Sequence, residues 1–183
     1  GFQNPSVYKT LSLLVIDGPY GFGNGRLIPA GPLREKIPSG LKRADAIVLI
    51  GEAKQSVKEA LPADIPVLQA STIPDNTNLE HSNNKVIGFA GIGRPEKFLN
   101  TLKSMDLNIV DFVSFPDHYV FKEIEILRLQ EEATQHDAVL VTTLKDMKRL
   151  PRKVAHLCRT VEIYIIWEDE SQIQRLLDST IQK

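Results

Sequence analysis

Several things are scarce in this sequence, and each scarcity excludes something. Its 183 residues include a single cysteine, Cys158. An internal disulfide framework is therefore excluded, and a reducing compartment fits. The thiol itself reads as a small buried hydrophobe. The formal net charge is only −1, without the basic excess expected of a general nucleic-acid binder. No apolar run approaches the roughly 18 residues that would read as a membrane span, and no secretory leader is evident. The pattern G-x-x-x-x-G-K-S/T occurs nowhere, so these residues hold no Walker-type nucleotide loop. No spacing of His and Cys reads as a zinc site. Residue 1 is Gly rather than Met, which is compatible with a chain cut from something longer.

What is present is ordinary in amount and unusual in arrangement. With 42% hydrophobic and 25% charged residues, the chain suits one globular domain, or one domain plus an attached piece. Short apolar runs at 12–17, 46–50, 65–70, 86–90, 107–115, 138–141 and 161–167 read as strands. Helical spacing appears at 41–44, 52–61, 95–102, 122–136 and 171–181. In the clearest helix, 122–136, Ile124, Leu127, Leu129 and Ala133 mark an apolar stripe. Residues 71–85 carry Pro74, four Asn and His81 without periodicity, and read as a loop or an extended segment between subdomains. The alternation predicts an α/β fold with a mainly parallel sheet and helices on both faces.

Such sheets bind ligands just beyond the carboxyl ends of their strands. Four unusual segments fall there: Asp17-Gly18, the stretch 91–95, the stretch 116–119 and the stretch 142–146. After Asp17 come Gly18, Gly21, Gly23, Gly25 and Gly31 with Pro19, Pro29 and Pro32. A connection with so little side-chain bulk turns tightly or lets a ligand approach its backbone. It ends in Arg34-Glu35, an Arg fork suited to phosphate oxygens or a surface ion pair. Gly91-x-Gly93 with Arg94 either offers backbone N–H groups to an anion or forms a tight strand-to-helix turn. Asp117-His118 is a carboxylate–imidazole pair that suits a base, an orienter or a ligand, or a surface or capping residue. His81, His136 and His156 read as loop, helix end and surface. Thr142-Thr143 suit a helix N-cap; Lys145 suits a phosphate, with Asp146 as its pair. These residues describe a protein that handles phosphate, without a demonstrable nucleophile or base.

The order of the segments resembles the tetraacyldisaccharide 4′-kinase family of lipid A biosynthesis. The resemblance rests on Gly1-Phe2-Gln3-Asn4-Pro5, Asp17-Gly18, the Gly21–Gly25 run with Asn24, and Gly31-Pro32-Leu33-Arg34-Glu35. It continues through Arg43-Ala44-Asp45-Ala46, residues 89–98, Phe115-Pro116-Asp117-His118 and Thr142-Thr143 with Lys145-Asp146. Leu144 stands where the family usually has Glu, and Tyr20 where Arg is usual.

The resemblance implies the C-terminal part of a two-lobe P-loop-type kinase. Residues 1–45 would be the remnant of the kinase lobe with its Gly-rich connection, and 46–183 the C-terminal α/β lobe. It implies transfer of the γ-phosphoryl of ATP, with Mg2+, to the 4′-hydroxyl of a lipid A disaccharide precursor. The complete enzyme would work as a peripheral protein at the cytoplasmic face of the bacterial inner membrane, with no nucleic-acid partner. It puts Gln3, Arg34 and Glu35 near nucleotide and metal, and makes His118 the orienter of a catalytic carboxylate. Beside these, Asp17, Asn24, Gly91, Gly93, Arg94, Asp117, Thr142 and Lys145 are candidate phosphate or substrate contacts. In the family the nucleotide loop, the catalytic Asp and two metal-binding acids all precede Gly-Phe-Gln. No metal site is then complete within these residues, and the isolated chain is expected not to turn over ATP. Two other readings stand beside this one, a non-catalytic glycolipid- or phosphate-binding module and the product of a truncated gene.

Overall fold

A computed structural model describes residues 2–75, 79 and 84–181. His81 lies outside the described residues, as does most of the segment between Asp75 and Asn84. Among the described residues, seven strands and seven helices follow in the order β1(Leu13–Asp17), α1(Ile37–Leu41), β2(Ala46–Ile50), α2(Gln55–Ala60), β3(Val67–Asp75), β4(Lys85–Ala90) and α3(Pro95–Ser104). Then come β5(Asn108–Ser114), α4(Glu123–Gln135), β6(Val139–Thr143), α5(Leu144–Met147), α6(Arg152–Ala155), β7(Cys158–Trp167) and α7(Glu170–Ile181). The contacts divide the chain into two compact units, Gly1–Ile73 with Ile165–Lys183, and Pro74–Tyr164. β3 passes from the first unit into the second, and β7 returns.

In unit 1, β2 lies between β1 and β3, and both pairings are parallel. Its alternating residues explain why it reads as one apolar run. Ile47 and Leu49 face a cluster with Ile16, Leu41 and Val57, beneath α1 and α2. Ala46 and Val48 face the opposite cluster with Leu68, Ala70 and Ile173 of α7. A strand covered on both faces has no position for a polar side chain. The division expected after residue 45 falls inside this unit, because β1 and β2 pair across it from Leu13–Ala46 to Asp17–Ile50.

Unit 2 repeats the plan. β4 pairs in parallel with β5 and β6, and β6 with β7. Ile87 and Phe89 point into a core with Ile126, Leu129 and Ala133 of α4. Val86 and Ala90 point into one with Phe98 and Leu102 of α3. Ile87, Phe89, Leu102 and Leu140 are almost wholly buried, each such side chain contributing about 1.5–3 kcal/mol. Helices thus cover both sheet faces within each unit, as the sequence pattern predicts.

Four details differ from the sequence reading. The first helix is Ile37–Leu41 rather than 41–44, because Pro38 opens its first turn. β3 runs on to Asp75, past the expected end at residue 70 and into the stretch read as a loop or an extended segment, and Tyr164 Oη donates to Asp75 Oδ2 at 3.4 Å. β7 begins at Cys158, three residues before the expected start. On α4 the buried stripe is Ile126, Leu129 and Ala133, whereas Ile124 and Leu127 are exposed. At about 3.6 residues per turn, Ile124 stands roughly opposite Ile126.

Candidate functional site

In unit 1 the residues after β1 are shaped by backbone constraints. Asp17 O accepts from Gly21 N at 2.6 Å and from Tyr20 N at 3.1 Å, closing a turn at the strand's end. Gly18 N donates to Ile50 O, and a Cβ on Gly18 would lie 2.7 Å from Gly51 O. Asn24 fastens the next turn, its Nδ2 donating to Ala30 O at 2.9 Å and its Oδ1 accepting from Arg26 N at 3.1 Å. Gly31 fits only as glycine, since a Cβ there would sit 2.1 Å from Asn24 Oδ1. The Asn24 amide holds the loop together and lies outside the lining of the adjacent cleft.

That cleft has a volume of about 780 Å³ and is lined by Phe2, Gln3, Asp17, Tyr20, Arg34 and Glu35 among others. Glu35 organises its polar side. Gln3 Nε2 donates to Glu35 Oε1 at 2.6 Å, and Arg43 Nη2 meets the same oxygen at 2.5 Å. The hydrogen bonds from Arg43 and then Gln3 hold the Glu35 carboxyl below the usual carboxylate range. The Arg43 guanidinium lies 5.1 Å from the centre of the Phe2 ring, a cation–π contact. The surface ion pair considered for Arg34-Glu35 is therefore made by Arg43, while exposed Arg34 lines the cleft separately. The expected site omitted Arg43. Its sequence signals were its place in the family-like stretch Arg43-Ala44-Asp45-Ala46 and a cation eight positions beyond Glu35.

In unit 2 the loops after β4, β5 and β6 converge. His118 adopts φ 58, the left-handed region that costs an L-residue about 1–2 kcal/mol. Two acceptors hold its N–H, Gly91 O at 3.1 Å and Asp117 Oδ1 at 2.9 Å. The imidazole is largely exposed, with Nε2 3.9 Å from Asp117 Oδ2. Gly93 lies beside Asp117, where a Cβ would be 3.4 Å from Oδ2. Beneath this loop Phe89, Phe115, Tyr119 and Phe121 pack edge to face or tilted, with centroids 4.9–6.2 Å apart. Tyr119 Oη donates to Glu125 Oε1 at 2.7 Å, and Lys122 N donates to Glu125 Oε2 at 2.9 Å. The Lys122 N–H and the Tyr119 hydroxyl lower the Glu125 pKa, and Glu125 raises that of Tyr119.

Three sequence expectations change here. Thr142 is wholly buried and donates to Phe89 O at 2.9 Å, so it is out of reach of a ligand. The Gly91 N–H donates to the Asp146 carboxylate, Oδ2 at 3.2 Å, rather than being left for a ligand anion. Asp146 pairs with Arg149 Nη2 at 2.8 Å rather than with Lys145, which is exposed. Thr143 is the N-cap of α5, accepting from Asp146 N at 3.1 Å and donating to Asp146 Oδ2 at 2.8 Å. Gly93, Arg94, Asp117 and His118 remain grouped at the carboxyl ends of β4 and β5. Among the described residues, no three or more His, Cys, Asp or Glu group closely enough to hold a metal. No helix among them is long and apolar enough to cross a membrane.

A family model described as tetraacyldisaccharide-1-P 4′-kinase matches residues 1–182. The chain belongs to this kinase family. A tetraacyldisaccharide 4′-kinase of Rhodospirillum centenum is 44% identical over 178 residues, covering 97% of this chain and 53% of that protein. One from Paramagnetospirillum magneticum is 44% identical over 179 residues, with coverages of 97% and 55%. The crystal structure of LpxK from Aquifex aeolicus in complex with ATP shares the fold. Its TM-score is 0.65 at 24% identity, over 98% of this chain and 55% of that one. The chain spans about half the length of the curated relatives it matches.

Proposed function

We propose that this chain forms part of an ATP- and Mg2+-dependent kinase. The kinase phosphorylates the 4′-hydroxyl of a tetraacyldisaccharide 1-phosphate at the cytoplasmic face of the bacterial inner membrane. The observation that carries the reading is the family match over residues 1–182, joined to the charged cleft of unit 1. A volume of about 780 Å³ lies within the ordinary range for small-molecule sites. Its polar side combines a cation, Arg34, with a carboxylate that its neighbours keep ionised, Glu35. That pairing suits phosphate oxygens on one side and a hard cation on the other.

Phosphoryl transfer depends on positioning and on neutralising developing charge. ATP would supply the phosphoryl group and Mg2+ part of the neutralisation. Within this chain, Arg34 faces phosphate oxygens and Gln3 with Arg43 fixes the Glu35 carboxylate. His118, with Asp117 beside it, orients the carboxylate that accepts the proton of the 4′-hydroxyl. Asp17, Gly93, Arg94 and Lys145 are the contacts proposed for phosphate or sugar. The 183 residues alone are proposed not to turn over ATP, since they contain no Walker-type loop.

The test is kinetic, in a polypeptide that joins this chain to a family N-terminal lobe. His118→Ala should lower kcat with a much smaller change in KM for ATP. Unchanged kinetics would remove His118 from the reaction. Phosphorylation of the disaccharide by the 183 residues alone would overturn the division of labour.

A further inference from the structure

Asp146 is a wholly buried carboxylate in unit 2. Its surroundings are specific. Oδ1 lies 2.8 Å from Arg149 Nη2, while Oδ2 accepts from the Thr143 hydroxyl at 2.8 Å and from Gly91 N at 3.2 Å. An isolated helix cap does not require burying a charge. Serine and threonine cap well, and Thr143 already does so here. What the carboxylate adds is the long-range bond to Gly91, 55 positions away in sequence.

From Gly91 the connection continues to His118. The Gly91 carbonyl accepts from His118 N at 3.1 Å. A Cβ on Gly91 would lie 3.2 Å from Tyr119 Cβ and 3.3 Å from Pro116 O, so the His118 loop rests directly on this glycine. Both polar groups of one peptide-chain residue are thereby fixed, one by Asp146 and one by the backbone that must hold a left-handed His118. An unfavourable backbone conformation persists only where its surroundings over-determine it.

We propose that Asp146 is a positioning residue for His118, acting through Gly91. The buried carboxylate anchors the β4–α3 loop, and that loop holds the His118 backbone. The inference rests on the proposed placement of His118 in the site, but its test does not depend on turnover.

Amide hydrogen exchange, read by NMR on the 183-residue chain, provides the test. Asp146→Asn keeps the volume and weakens the acceptor. It should accelerate exchange at Gly91 and His118 by roughly tenfold, with Ile87 and Leu140 little changed. The His118 Cα shift should also move away from its left-handed value. Thr143→Val removes one partner of the carboxylate and should produce the same selective pattern, with a smaller change. If Asp146→Asn does not fold, the Thr143→Val pattern decides. Unchanged exchange at Gly91 and His118, or a uniform rise across unit 2 in every variant that folds, overturns the proposal. Should His118→Ala keep normal kinetics in the joined kinase while the exchange pattern holds, the catalytic reading falls and the coupling of Asp146 to His118 stands.

Discussion

The two units place charge differently. In unit 1 the ionic group of the cleft is at the surface, with Glu35 and Arg43 both accessible to water. Its loops are shaped by glycines and by one asparagine that bonds its own backbone. In unit 2 the loop carrying His118 is set by a charge out of water, Asp146, with Arg149 beside it. Exposed ion pairs contribute little because water screens them, whereas breaking a buried pair leaves an uncompensated charge. The cleft of unit 1 should therefore tolerate loss of its charges while its loop frame persists. In unit 2 the loop carrying His118 should lose its anchor when the charge is removed.

The largest effect separates the two most sharply. Asp146→Ala leaves the half-buried Arg149 without its carboxylate and should destabilise unit 2 by about 3–5 kcal/mol. Chemical denaturation followed at unit 2 probes checks this, and a loss below 1 kcal/mol would put the pair with ordinary surface ion pairs. Next in size is Gly31→Ala. Its Cβ would meet Asn24 Oδ1 and Arg26 O at 2.1 and 2.4 Å, so the loop must shift at a cost of about 1–3 kcal/mol. The same measurement, read at unit 1, should show that loss, and unit 2 probes should not respond. A third change has the opposite sign. His118→Gly removes the left-handed strain at φ 58, offset by the greater freedom of glycine in the unfolded chain. We expect unit 2 to gain about 1 kcal/mol or less while the joined kinase loses turnover.

How much of this could be read beforehand follows the same contrast. β2, β4 and the Val139–Val141 part of β6 were readable because burial on both faces leaves short apolar runs. The convergence of Gly91, Asp117 and His118 was readable from strand order, since parallel strands deliver their carboxyl ends to one edge. β3 beyond Ala70 was readable only as a loop or an extended segment, because Ser71, Thr72 and Ile73 are exposed and carry no pattern. Half of the α4 stripe was misplaced because the sequence does not say which of two apolar faces meets the core. Side-chain partnership was the least readable level. Asp146 beside Lys145 suggested one pair, yet α5 directs Asp146 inward to Arg149 and leaves Lys145 outside. Arg43 joins Glu35 across the turn that α1 makes, a proximity that spacing alone does not show.

The smallest effect concerns pH and belongs to unit 1. Glu35 has its pKa held down by Arg43 first and Gln3 second, so its folded value lies below its unfolded one. A group of this kind contributes its stabilisation above the unfolded pKa and loses it as pH falls through the folded pKa. The Gln3–Glu35–Arg43 array should therefore be intact at neutral pH and come apart only on the acid side of the usual carboxylate range. NMR titration of the Glu35 carboxyl carbon should show this midpoint, with the Gln3 side-chain amide shifting in step. In Arg43→Gln the midpoint should rise towards the ordinary value, since the larger of its two causes is gone. Because the carboxylate is water-exposed, unit 1 should stay folded through that titration, and its β2 amides should report no unfolding. If unit 1 melted together with the Glu35 midpoint, the cleft charge would be structural, and the contrast with Asp146 would disappear.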